Sequence, residues 1–200
     1  MTIPSAVLEL PAPVELDGRA LLHRARHAVR MHLGYGDPPL PRAPVGEPLA
    51  AVFVTIRRHD GQLHGCIGTV GATLPLSVAV EKYAVLAAFD DPRTRRLRPE
   101  EIDEVVFEIS VLTAPVPLPC DGEEDACRKL VPGVDGVVLT AGARQGLFLP
   151  QVWESLPDPH AFLRHLHLKA GLPGRWDPRT QLERFTVQKF HEPGFDRGND

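Results

Sequence analysis

The chain has 200 residues, 43% of them hydrophobic, and a formal net charge of −4. That length carries one large domain or two small lobes with a real core. The acidic balance argues against a general nucleic-acid or membrane-surface binder, and no apolar run approaches the roughly 20 residues a membrane span needs.

Of 22 Lys and Arg residues only Lys82, Lys129, Lys169 and Lys189 are lysine, and there are 21 prolines. This resembles a GC-rich coding bias of the kind common in bacteria, a statement about source and not function. Cys66, Cys120 and Cys127 form an odd set without CxxC spacing. That argues against a disulfide framework or a four-cysteine zinc site. Met1-Thr2-Ile3-Pro4-Ser5 lacks the basic and apolar regions of a signal peptide, so the expectation is a cytoplasmic protein with reduced thiols.

Residues 1–13 read as a proline-punctuated arm. Asp17 can cap a helix running to about Leu33, with Leu21, Leu22, Ala25, Ala28, Val29 and Leu33 as its apolar stripe. His23 and His27 lie at i,i+4, but two ligands without a third do not make a catalytic zinc site; no metal is expected. Gly34–Pro48 is a proline-rich loop.

Ala51–Arg58 reads as a strand. His59-Asp60-Gly61-Gln62 follows as a turn, and Leu63-His64-Gly65-Cys66-Ile67-Gly68 returns as its hairpin partner. Strict alternation places Leu63, Gly65 and Ile67 on a core face and His64, Cys66 and Gly68 on the other. A thiol–imidazole contact is then within reach, and an imidazolium would favour the reactive thiolate. Gly65 and Gly68 leave the backbone open to a ligand or to another backbone. The simpler reading is that Cys66 packs, as free cysteines often do.

Pro75 starts a helix over Leu76–Phe89, which ends at Asp90, Asp91 and Arg93 around Pro92. Arg93, Arg95, Arg96 and Arg98 form a basic cluster, either facing an anionic ligand or solvated with local Asp and Glu partners. Val105–Thr113 is a strand with Val105, Phe107, Ile109 and Val111 inward and Glu108 and Ser110 outward. Glu108 is therefore a candidate to meet His64 and Cys66. Pro115–Pro119 reads as a stiff connector between lobes. Beyond it come a short helix over Glu123–Leu130, a hairpin around Gly142–Gln145, a helix from Asp158 to about Ala170 closed by Gly171, and a last alternating strand over Leu182–Phe190. His165 and His167 point apart on their helix and are not a matched ligand pair. Gly133-Val134-Asp135-Gly136 lacks both GxGxxG and a Walker lysine, so no cofactor is expected. Residues 191–200 read as a glycine-rich tail.

The hexapeptide resembles the Leu-Arg-Gly-Cys-Ile-Gly signature of the AMMECR family, whose prokaryotic members are often called AmmeMemoRadiSam system protein A. Ala88-Phe89-Asp90-Asp91-Pro92-Arg93, Glu108–Thr113, Gly133–Gly136, Gly146–Trp153 and Lys169–Leu172 match the same family in order, from about Val14 to Phe190. The departure is His64 where the family has arginine: a titrating ring replaces a permanent, forked charge.

The element order indicates an α+β fold, antiparallel hairpins packed by several helices. The resemblance implies one domain over residues 14–190 in two unequal lobes. Two functions follow. One is a binding or accessory module with a groove around the motif, with Gly65, Gly68, Asp90, Arg93 and Ser110 as binding candidates. Its partners, by the resemblance, are a Memo-like protein and a radical-SAM enzyme. The other is a thiol-dependent enzyme with Cys66 as nucleophile or acceptor, His64 as base and Glu108 as orienter.

Overall fold

The alternation in Val52-Phe53-Val54-Thr55-Ile56 makes one face of a strand wholly apolar, and Val52, Val54 and Ile56 are fully buried. The computed structural model describes residues 15–194, and its strands and helices form two compact units. The larger holds residues 15–112 and 188–194; the smaller is Thr113–Val187. The expected arm over 1–13 and the end of the tail lie outside the described residues.

The larger unit opens with α1 (Gly18–His32), capped as expected: the Ala20 N–H donates to the Asp17 side chain. β1 (Leu49–Arg58), β2 (Leu63–Gly68) and the two-residue β3 (Leu74–Pro75) precede α2 (Leu76–Phe89). The Glu47 carboxylate accepts from the N–H and hydroxyl of Ser77 in the first turn of α2, the stabilising place for an anion. A 3₁₀ turn at Pro99–Glu104 leads into β4 (Val105–Leu112). β1 pairs antiparallel with β2, β3 and β4. α1 and α2 pack on one side of this sheet, and their apolar faces join Val52, Val54, Ile56, Phe107 and Ile109 in a single core.

In the smaller unit, β5 (Val116–Pro117) and α3 (Glu123–Lys129) precede a regular hairpin of β6 (Gly136–Ala141) and β7 (Arg144–Phe148). After a 3₁₀ turn at Pro150–Glu154, α4 (Pro159–Lys169) is capped by Asp158 and closed by Gly171 at φ +72°. β8 (Gln181–Phe185) completes a sheet of order β5-β8-β6-β7. Trp153 stacks on Phe162 at 3.7 Å in this core.

The single strand expected over Leu182–Phe190 is in fact two. β8 belongs to the smaller unit, and β9 (Val187–His191) lies next to β4 in the sheet of the larger. The break is Thr186: its N–H donates to the Thr113 hydroxyl, and the Thr113 N–H donates to its carbonyl. The expected tail also begins later than residue 191. The Glu192 N–H donates to the Phe107 carbonyl, and the Glu192 carboxylate takes both Arg26 and the Phe107 N–H.

Among the described residues no helix is long and apolar enough to cross a membrane.

Candidate functional site

The site is built on the β1–β2 hairpin. Its turn closes through the Arg58 N–H to the Gln62 carbonyl at 2.9 Å, with Gly61 at φ +84°. The ladder runs regularly from Phe53↔Gly68 to Ile56↔Gly65 and then slips, so that Arg57 pairs with Leu63. His64 is the extra residue of a β-bulge, a device that re-aims one side chain.

The bulge corrects the face assignment made by alternation. His64 turns toward the end of α2, where Nε2–H donates to the Ala88 carbonyl at 3.3 Å, and the ring is 5% exposed. Leu63, expected in the core, is 36% exposed. Cys66 stays on the opposite face, opposite Thr55, whose hydroxyl donates to Sγ at 3.3 Å. The expected His64–Cys66 contact is not made. Burial pushes the His64 imidazole below its usual value, so the ring is neutral and its tautomer is set by the carbonyl it meets.

Glu108 also stands apart from His64. It pairs with Thr55 on the strand beyond, so two inter-strand spacings, about 10 Å at Cα, separate it from Cys66. Its carboxylate lies 3.7 Å from Lys189 Nζ. The three candidate catalytic residues therefore do not converge.

The binding candidates divide. The two motif glycines face protein: a Cβ at Gly65 would overlap the Ala87 carbonyl of α2, and one at Gly68 would overlap the β1 backbone at Val52 and Phe53. The open backbone thus admits a neighbouring helix and strand. Asp90 caps the end of α2 and is exposed. Ser110 is buried opposite Phe53.

Arg93 forms a clamp with Asp91, a residue sequence reasoning left off the site. The Cys66 N–H donates to Asp91 Oδ2 at 2.8 Å, and Arg93 Nη2 donates to the Cys66 carbonyl at 2.9 Å. Arg93 also forks onto both Asp91 oxygens at 3.0 and 2.7 Å. Both edge-facing backbone groups of Cys66 are thereby taken, which blunts an otherwise open edge strand. Arg93 holds the Asp91 carboxyl far below the ordinary carboxylate range. The spacing Asp91-Pro92-Arg93 was the available signal.

The remaining arginines go elsewhere. Arg96 lies over the Phe89 ring. Arg95 forks onto Glu101, which also takes Arg58 Nη1 at 3.1 Å and Arg98 Nε at 3.4 Å. Glu101 is 3% exposed and, with Arg95 as the main cause, is held far below its usual range. Arg58 and Glu101 carried no sequence signal as a pair, because 43 positions separate them. These groups line an open groove of about 510 Å³ together with Leu63, His64 and Thr94.

Two other histidines are held by backbone and hydroxyl groups of the fold. His27 Nε2–H donates to the Pro38 carbonyl, and His167 is held between the Leu163 carbonyl and the Thr180 hydroxyl. Among the described residues no group of three or more His, Cys, Asp or Glu is placed to hold a metal ion.

The AMMECR1 family model matches residues 22–190. A protein of Methanothermobacter thermautotrophicus is 40% identical over 194 residues, covering 92% of this chain and 98% of its own. One from Thermotoga maritima is 35% identical over 171 residues, covering 83% and 94%. The relatives are archaeal for the most part and leave a bacterial source unconfirmed. The crystal structure of the uncharacterized protein PH0010 from Pyrococcus horikoshii is similar with a TM-score of 0.72 and 35% identity, covering 88% of this chain and 91% of that one. The α+β architecture and the family agree, and this chain belongs to the AMMECR1 family.

Proposed function

We propose that this chain is a binding or accessory module of the cytoplasm that presents the Leu63–Gly68 hairpin and its groove to partners. The partners we propose, from the family resemblance, are a Memo-like protein and a radical-SAM enzyme. The observation that supports a binding role is the use of the motif's polar atoms. The Cys66 backbone is bound by Asp91 and Arg93, and His64 by Ala88, while Leu63 opens onto the groove. Three unpaired thiols fit a reducing compartment.

The test is calorimetric titration of the full chain with a Memo-like protein and a radical-SAM enzyme from the same organism. Saturable binding that Leu63→Glu abolishes is the expected result. No association with either partner, or the same affinity in Leu63→Glu, sinks this reading.

A thiol-dependent enzyme is the second reading, favoured by the surroundings of Cys66 Sγ. Thr55 donates to the sulfur, and the Arg93 guanidinium gains basicity from Asp91 first and from Cys66 as well. Cys66 would be the nucleophile or acceptor, with the Arg93 guanidinium as its charged neighbour in place of a histidine base. Burial pushes the Cys127 thiol up to about 11 and raises Cys120, so both serve as internal controls. Alkylation of Cys66 much faster than of these two, and slowed in Arg93→Ala, is what this reading requires; labelling no faster than the controls removes it.

A further inference from the structure

We propose that the groove beside Leu63 and His64 binds a phosphate dianion through the guanidinium groups of Arg58, Arg95 and Arg98. This rests on the binding-module reading and gives that site a ligand class.

Three guanidiniums converge on the one buried carboxylate of Glu101. That carboxylate holds them in place but supplies a single negative charge against three positive ones. The other two acids of the groove are peripheral. Glu104 reaches Arg58 at 2.8 Å and Glu100 reaches Arg98 at 3.3 Å, but their side chains are 58% and 63% exposed. Exposed ion pairs of this kind hold weakly and exchange readily with solvent ions. Counted whole, the lining is neutral, three arginines against three glutamates, so a phosphate dianion binds by displacing Glu100 and Glu104 from their exposed pairs with Arg98 and Arg58.

The donors are also available. Each guanidinium carries five N–H groups. The Nε of Arg58 and that of Arg95 have no partner among the described residues, and neither do the Thr94 hydroxyl and the Gln62 amide in the same lining. Arginine forks suit the oxygens of a phosphate better than ammonium points do, and no lysine lines the groove. Its volume of about 510 Å³ suits a small molecule. The neutral His64 ring adds no charge: with Nε2–H committed to Ala88, Nδ1 is an acceptor, and the positive charge comes from the arginines.

The source of the dianion is either free phosphate or a small phosphomonoester. The full chain is titrated calorimetrically at pH 7.5 and fixed ionic strength with inorganic phosphate, glycerol phosphate and, as the ionic-strength control, chloride. Saturable phosphate binding is expected, weakened at least tenfold in Arg95→Gln and in Arg98→Gln, both confirmed folded by circular dichroism. Glu104→Gln is expected to tighten it severalfold by removing a competing carboxylate. Tighter binding of glycerol phosphate than of inorganic phosphate identifies an ester site, and the reverse identifies free phosphate. The proposal is overturned if phosphate does no more than chloride, or if both arginine variants bind as the parent does. Loss of phosphate binding alone, with partner binding still sensitive to Leu63→Glu, defeats this inference and leaves the module reading standing. Absence of partners with phosphate still bound does the opposite.

Discussion

Two buried carboxylates of the larger unit and one of the smaller respond to burial in opposite ways. Glu101 and Asp91 are 3% and 4% exposed and both are driven far below the usual carboxylate range. Asp135, in the smaller unit, is fully buried and is driven up instead. Burial alone raises all three. The difference lies in the donors. Glu101 has three guanidiniums and the Arg98 N–H; Asp91 has a forked arginine and two backbone N–H groups. Asp135 has the Val131 N–H at 2.8 Å and Arg184 only at 3.9 Å, and its Oδ1 has no hydrogen-bond partner. Depth thus says little about a carboxylate until its donors are counted.

The largest expected effect comes from stripping the best-partnered acid. Glu101→Ala should destabilise the larger unit by about 2 kcal/mol, less than the roughly 3–5 kcal/mol of a broken buried pair because Arg95 and Arg98 are more than half exposed. Amide hydrogen exchange across β1, β2 and β4 reads this directly. Unchanged protection there would mean that the cluster is organised for a ligand and adds nothing to the fold.

Asp91→Asn should cost about 1–2 kcal/mol, since it discharges the clamp on Cys66 but keeps an acceptor for its N–H. The same exchange experiment should show the loss concentrated in β2. The pH sign follows from the depressed values: the stability that Asp91 and Glu101 supply is complete above the unfolded carboxyl pKa near 4 and is lost as the medium becomes strongly acidic.

Asp135→Asn should run the other way and stabilise the smaller unit by about 1 kcal/mol at pH 7, because a poorly partnered buried charge is removed. Both tryptophans, Trp153 and Trp176, lie in that unit, so fluorescence-monitored urea unfolding reports on it selectively. In the parent, the raised Asp135 value makes its contribution complete below the unfolded pKa near 4 and lost as pH rises through the folded value. A parent curve without that slope, or a destabilised variant, would erase the contrast between the units.

The smallest effect is that of His64. Its folded value is depressed, so the stability it contributes is complete above an unfolded pKa near 6.5 and declines as pH falls below it. His64→Gln keeps a donor for the Ala88 carbonyl and should flatten that decline between pH 7 and 5. An identical acid limb in the variant would place the titration elsewhere.

Much of the scaffold was legible in the chain. Asp17 and Asp158 are capping residues by type and position and cap as read. Val105, Phe107, Ile109 and Val111 alternate in sequence and share the core. The candidate site was less so. Cys66, Arg93 and the motif stood out, but the partnership of Cys66 with Asp91 and Arg93 spans 25 and 27 positions and leaves no local mark. The arginine cluster was legible as a cluster, and its division between Asp91, Phe89 and Glu101 was not.

The sequence by itself determined the helices, the longer strands and most of their apolar faces, the caps and the family signature, because each depends on residue type and spacing within a turn or a few positions of chain. Only the tertiary structure decided which way His64 points, that Gly65 is filled by the Ala87 backbone, and that residues 182–190 divide at Thr186 between two sheets. Strand register and ion-pair choice are set by groups distant in sequence, and one extra residue in a ladder reverses a face without changing any local pattern.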